Sequence, residues 1–141
     1  MTTITDRISQ REEWVVASLL DNLHKPWGPC LAYAVAHHEL WENPIARKLA
    51  KAIANSISNL TMANIARKLG REDSKWLRRS IFYENGLPLD IAEYEAHDLC
   101  VYYRGKRLAA LVGDAWTRLG DHPEQGKCIA ESLRSALEEY V

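Results

Sequence analysis

Nine cationic side chains crowd the middle of this 141-residue sequence: Arg47, Lys48, Lys51, Arg67, Lys68, Arg71, Lys75, Arg78 and Arg79. Between residues 43 and 82 only Glu72 and Asp73 oppose them, so this stretch carries +7 inside a chain whose formal net charge is -1. Ammonium and guanidinium groups at that density create a local potential to which phosphate oxygens respond, whatever the total charge. The sequence also holds the means to neutralise them internally. Residues 83–103 carry Glu84, Asp90, Glu93, Glu95 and Asp98 with no Lys or Arg among them, and residues 1–42 sum to -3. Polyanion binding and the packing of basic on acidic helices both stand as readings of this pattern.

A second set of groups could hold a metal. His97-Asp98, with His37 or His38 before it and Asp114 or Asp121 after it, follows an order similar to that of helical metal-dependent phosphohydrolases. Such ligands work only if the fold brings them within about 2.0–2.2 Å of one point. The alternative makes His97 an exposed residue on an acidic helix face and His38 an interior histidine. The sequence has no P-loop, no Gly-x-Ser-x-Gly elbow, no His-Glu-x-x-His and no dinucleotide-binding glycine pattern, so the chain reads as non-enzymatic and without a cofactor. Cys30, Cys100 and Cys128, odd in number and widely spaced, read as buried thiols in a reducing compartment. Trp14, Trp41 and Trp116 fall on apolar helical stripes and are assigned to the core. Trp27, between Pro26 and Gly28, is either a contact residue or is buried over the first two helices.

The elements that must position these groups are helical. With 47% hydrophobic residues the sequence can close one core, and residues 1–141 read as a single all-α domain, a compact bundle of seven to eight helices. Ser9 with Glu12 forms a capping box for a first helix over about 10–24. Pro29 opens a second helix and Asn43-Pro44 caps a third, in which Ile45, Leu49, Ile53 and Ile57 form an apolar stripe with Arg47, Lys48 and Lys51 turned away. Thr61 caps a fourth helix, Met62 to Leu69, closed by Gly70. A fifth runs from Asp73 or Ser74 to about Tyr83 and ends at Asn85-Gly86. Asp90 caps a sixth that Gly105 breaks, a seventh runs to Gly120, and Asp121-His122-Pro123 opens the last, with Ile129, Leu133 and Leu137 inward.

Residues 60–81, with Ile65 and Leu69 facing inward, the small Ala66, the turn at Gly70 and an apolar anchor at Trp76, resemble a helix-turn-helix over 61–82. The continuation, Glu84-Asn-Gly86-Leu-Pro88 and then Asp90 to Leu99, is similar to the close of phage-repressor-type domains. That resemblance, over residues 60–100, implies a small phage or plasmid regulator that contacts DNA through Arg67, Lys68, Arg71, Lys75, Arg78 and Arg79, and that dimerises through helices outside the motif. Separately, Thr3-Ile-Thr-Asp-Arg-Ile8 followed by Arg11 is similar to the opening of some helical phage anti-CRISPR proteins. That likeness implies a surface-contact inhibitor of a host nucleoprotein complex. No window is apolar enough to span a membrane and the first ten residues are polar, so a cytoplasmic location is expected.

Overall fold

Local capping chemistry sets most of the helix starts. The computed structural model describes residues 3–71, residue 75 and residues 88–140. Among these are six α-helices, two short 3-10 turns and no strand. Helix α1 spans Ile4–Asp21 and α2 spans Pro29–Ala36, which a 3-10 turn at His38–Leu40 follows. Helix α3 covers Pro44–Ala54 and α4 Met62–Leu69. Helix α5 runs from Leu89 to Asp121, and α6, Gly126–Tyr140, follows a 3-10 turn at Pro123–Gln125. The expected fifth helix, residues 73–83 with its stop at Asn85-Gly86, lies outside the described residues.

Three starts and one stop follow the sequence reading, and α2 opens at Pro29 as expected. The Asn43 side chain accepts from Ile45 N and Ala46 N, and the Thr61 hydroxyl accepts from Asn64 N. Gly70 ends α4 at φ 86°, which a side chain would resist. The first helix is different. It begins at Ile4, where Thr3 and Asp6 form the capping box, and not near Gln10. Thr3-x-x-Asp6 and Ser9-x-x-Glu12 fit the same pattern, and packing decides between them. Glu12 is fully buried, and its carboxylate accepts from Glu42 N at 2.9 Å and Asn43 N at 2.8 Å, at the entry to α3.

The chain divides into two compact units, Met1–Cys100 and Val101–Val141, with the division inside α5. In the first unit α3 packs against α1, α2 and α4. The core there holds Val15, Val16 and Leu19 of α1, Leu31 and Val35 of α2, Leu49 and Ile53 of α3, and Ile65 of α4. Trp41 is buried as expected, with its Nε1 donating to Ala34 O at 2.8 Å, and Trp14 is half-buried. Ile57 lies beyond the end of α3 and is exposed, so the stripe of that helix stops at Ile53. In the second unit α5 and α6 face each other around Ala115 and Ile129, both buried.

Three sequence expectations fail in or near that second unit. Gly105 does not break a helix, because α5 continues through it. An interior glycine costs a helix only about 1 kcal/mol against alanine, and no proline or capping residue beside Gly105 adds to that cost. Trp116, assigned to the core, is 78% exposed. Helical spacing places it beside Val112 and Leu119, on the flank of the row that carries Leu111, Ala115 and Arg118 toward α6. Cys128, read as buried, is exposed, whereas Cys100 is buried and Cys30 half-buried; no two of the three are joined in a disulfide.

Candidate functional site

Helices α3 and α4 bring part of the basic segment together. On α3 the buried residues Leu49 and Ile53 fix the rotation of the helix, which leaves Arg47, Lys48 and Lys51 exposed on the other face. On α4 Ile65 anchors the short helix, and Arg67 and Lys68 fall in its exposed last turn. Because α3 packs on α4, Lys48, Lys51 and Lys68 line one shallow cleft of about 260 Å³ with Ala52, Asn55 and Leu69. None of these residues is a carboxylate. Each helix C-terminus contributes about half a negative charge. Among the described lining residues, the three lysines are the only ionisable side chains.

The other expected contact residues are placed around α4. Arg67 is exposed and its Nη2 donates to Asn64 Oδ1 at 2.7 Å. Arg71 is exposed, one residue past Gly70, and Lys75 is exposed as well. Arg78 and Arg79 lie outside the described residues. Of the six expected contact residues, then, Lys68 lines the cleft. Its partners Lys48 and Lys51 belong to the basic segment but were not among the expected contacts. Their three-residue spacing on the polar face of α3 was the available signal. What closes the cleft is the packing of α3 on α4.

The acidic start of α5 has its own partners. The Arg11 guanidinium binds Glu95 at 3.1 Å and Asp98 at 3.2 Å. Glu93 accepts from Cys30 N at 2.7 Å and Leu31 N at 2.9 Å, and so caps α2 from another helix. Gly28 stands beside that carboxylate, where a Cβ would lie 2.6 Å from both Glu93 oxygens.

The metal reading does not assemble. His97 Nδ1 lies 3.8 Å from Asp98 Oδ1 on the exposed side of α5, and His37 Nδ1 lies 3.6 Å from Glu39 Oε1. Among the described residues no three His, Cys, Asp or Glu side chains are grouped to hold a metal ion. Trp27 is half-buried, with its Nε1 enclosed and without a hydrogen-bond partner among the described residues, so burial is the better account of it than surface contact. Among the described residues no helix is long and apolar enough to cross a membrane. No protein-family model, curated protein or solved structure matches the chain.

Proposed function

We propose that the chain is a non-enzymatic, cytoplasmic DNA-binding regulator of the phage or plasmid helix-turn-helix type. The observation that carries this reading is the cleft that gathers Lys48, Lys51 and Lys68, in which no described lining residue is a carboxylate and which sits at the end of α4 where Gly70 turns the chain. In this reading α4 is the first helix of the motif, and the segment that follows, with Lys75, Arg78 and Arg79, supplies the groove-reading helix. Arg67, Lys68 and Arg71 with the cleft lysines hold the phosphate backbone, while Arg78 and Arg79 carry the base contacts. Such contacts release counterions, so the logarithm of affinity should fall linearly with the logarithm of salt, by about 0.9 for each phosphate held. Titration of random-sequence duplex DNA across a salt series tests this. Binding that weakens with that dependence is expected; no binding even at low salt removes the reading.

A second reading keeps the same cleft and changes its occupant. The cleft is concave and small, and an acidic side chain of a protein fits it as a phosphate does. In that reading the chain is an anti-CRISPR-type inhibitor that docks on a host nucleoprotein complex. The two readings part on free DNA, which the regulator binds and the inhibitor ignores.

A further inference from the structure

The second unit leaves a row of large apolar residues uncovered. On α5, Val101, Val112, Trp116 and Leu119 are exposed, at 57%, 50%, 78% and 39%. Leu108 is half-buried between them, and Gly105 is open, with no atom of the described residues within 4 Å of where a Cβ would stand. At 100° per residue Gly105, Leu108, Val112, Trp116 and Leu119 fall within one narrow stripe. In return, the buried apolar residues among the described residues of this unit are Tyr103, Ala115 and Ile129. A two-helix unit with so little buried and so much apolar surface bare is half of a bundle.

We propose that a second copy of the chain covers this stripe, with the two α5 helices crossing antiparallel about a two-fold axis at Val112. The order of the residues specifies the partner. The intervals from Gly105 to Leu119 are three, four, four and three, the same read from either end, which is what a self-complementary contact needs. With the axis at Val112, Leu119 of one copy enters the open space at Gly105 of the other, and Leu108 meets Trp116. Val101–Val141 holds six Lys and Arg against six Asp and Glu, so two such units approach without net repulsion. The trade of small for large residues, Gly105 against Leu119, favours another copy over an unrelated surface. The inference does not depend on the reading of the basic cleft.

Sedimentation equilibrium of the full chain tests the association, and cysteine crosslinking tests its geometry. The wild type should sediment at twice its 16.1 kDa mass, and Trp116→Glu should sediment as a monomer with unchanged helical circular dichroism. In a Cys128→Ser background, Val112→Cys should form a disulfide with its own copy under mild oxidation, because it lies on the axis. Leu119→Cys should not, because it faces Gly105. A wild type that remains monomeric up to hundreds of micromolar overturns the proposal. So does a dimer that survives Trp116→Glu, or one in which Leu119→Cys crosslinks and Val112→Cys does not.

Discussion

A carboxylate that caps a helix from another part of the chain must be aimed by the helix that carries it, and Glu12 and Glu93 are both aimed in this way. Glu12→Ala would leave the backbone N–H groups of Glu42 and Asn43 buried without acceptors, at a cost on the order of 3 kcal/mol. Chemical denaturation would measure it. Glu93 and Gly28 form a tighter test, because a methyl group at Gly28 occupies the space of the Glu93 carboxylate. Gly28→Ala should therefore cost what Glu93→Ala costs, about 1–2 kcal/mol, the value of a missing helix cap. The double mutant should cost no more than either single one. Additive losses would mean that the glycine matters for another reason. Asp21 offers a pH-dependent case, since burial raises its carboxyl above the ordinary 3.8. A raised carboxyl favours the folded state only while protonated, so that stability is present at low pH and lost as pH rises through the raised value. Asp21→Asn should match the wild-type Tm in strong acid and exceed it slightly at neutral pH.

Helix ends were legible in the sequence where the cap is local and obscure where it is not. Asn43-Pro44, Thr61 and Gly70 each satisfy or end a helix with their own atoms, and the chain begins or stops where they say. Thr3 and Ser9 each offered a capping box with equal local merit. The choice turned on Glu12, drawn into the core by groups thirty residues away. Gly105 misled because glycine in a helix is a cost and not a barrier. The glycines of α5 and α4 should therefore respond in opposite ways. Gly113→Ala, in open space within α5, should raise stability by about 0.5–1 kcal/mol, the difference in helix propensity. Gly70→Ala, at φ 86° and ψ 172°, should lower it by about 1–3 kcal/mol, because that region of backbone space belongs to glycine. Thermal melts of the two variants, moving in the same direction, would contradict this account of α5.

At the scale of the whole molecule the charge segregation visible in the sequence becomes a division of labour. Glu95 and Asp98 are held by Arg11, and Glu93 by the start of α2, so these acids of α5 have partners from the N-terminal helices. Sequence alone left open whether the basic segment neutralises them, because charge counts carry no geometry. The same limit hid the cleft: Lys48 and Lys51 stand seventeen or more residues before Lys68, and only the packing of α3 on α4 brings the three to one place. Spacing alone puts Trp116 inward, because an apolar stripe does not say whether its cover is the same chain or another. Its exposure is what the antiparallel pairing of two copies uses.

The most direct test of the central claim is the salt dependence of duplex DNA binding by the wild type and by the triple variant Lys48→Ala, Lys51→Ala, Lys68→Ala. All three side chains are exposed lysines, so the variant should melt at nearly the wild-type temperature. It should bind DNA more weakly at every salt concentration. The slope of log affinity against log salt should fall by about 1 for each phosphate no longer neutralised, up to about 3. A folded variant whose affinity and slope equal those of the wild type would contradict the assignment of the cleft to the phosphate backbone.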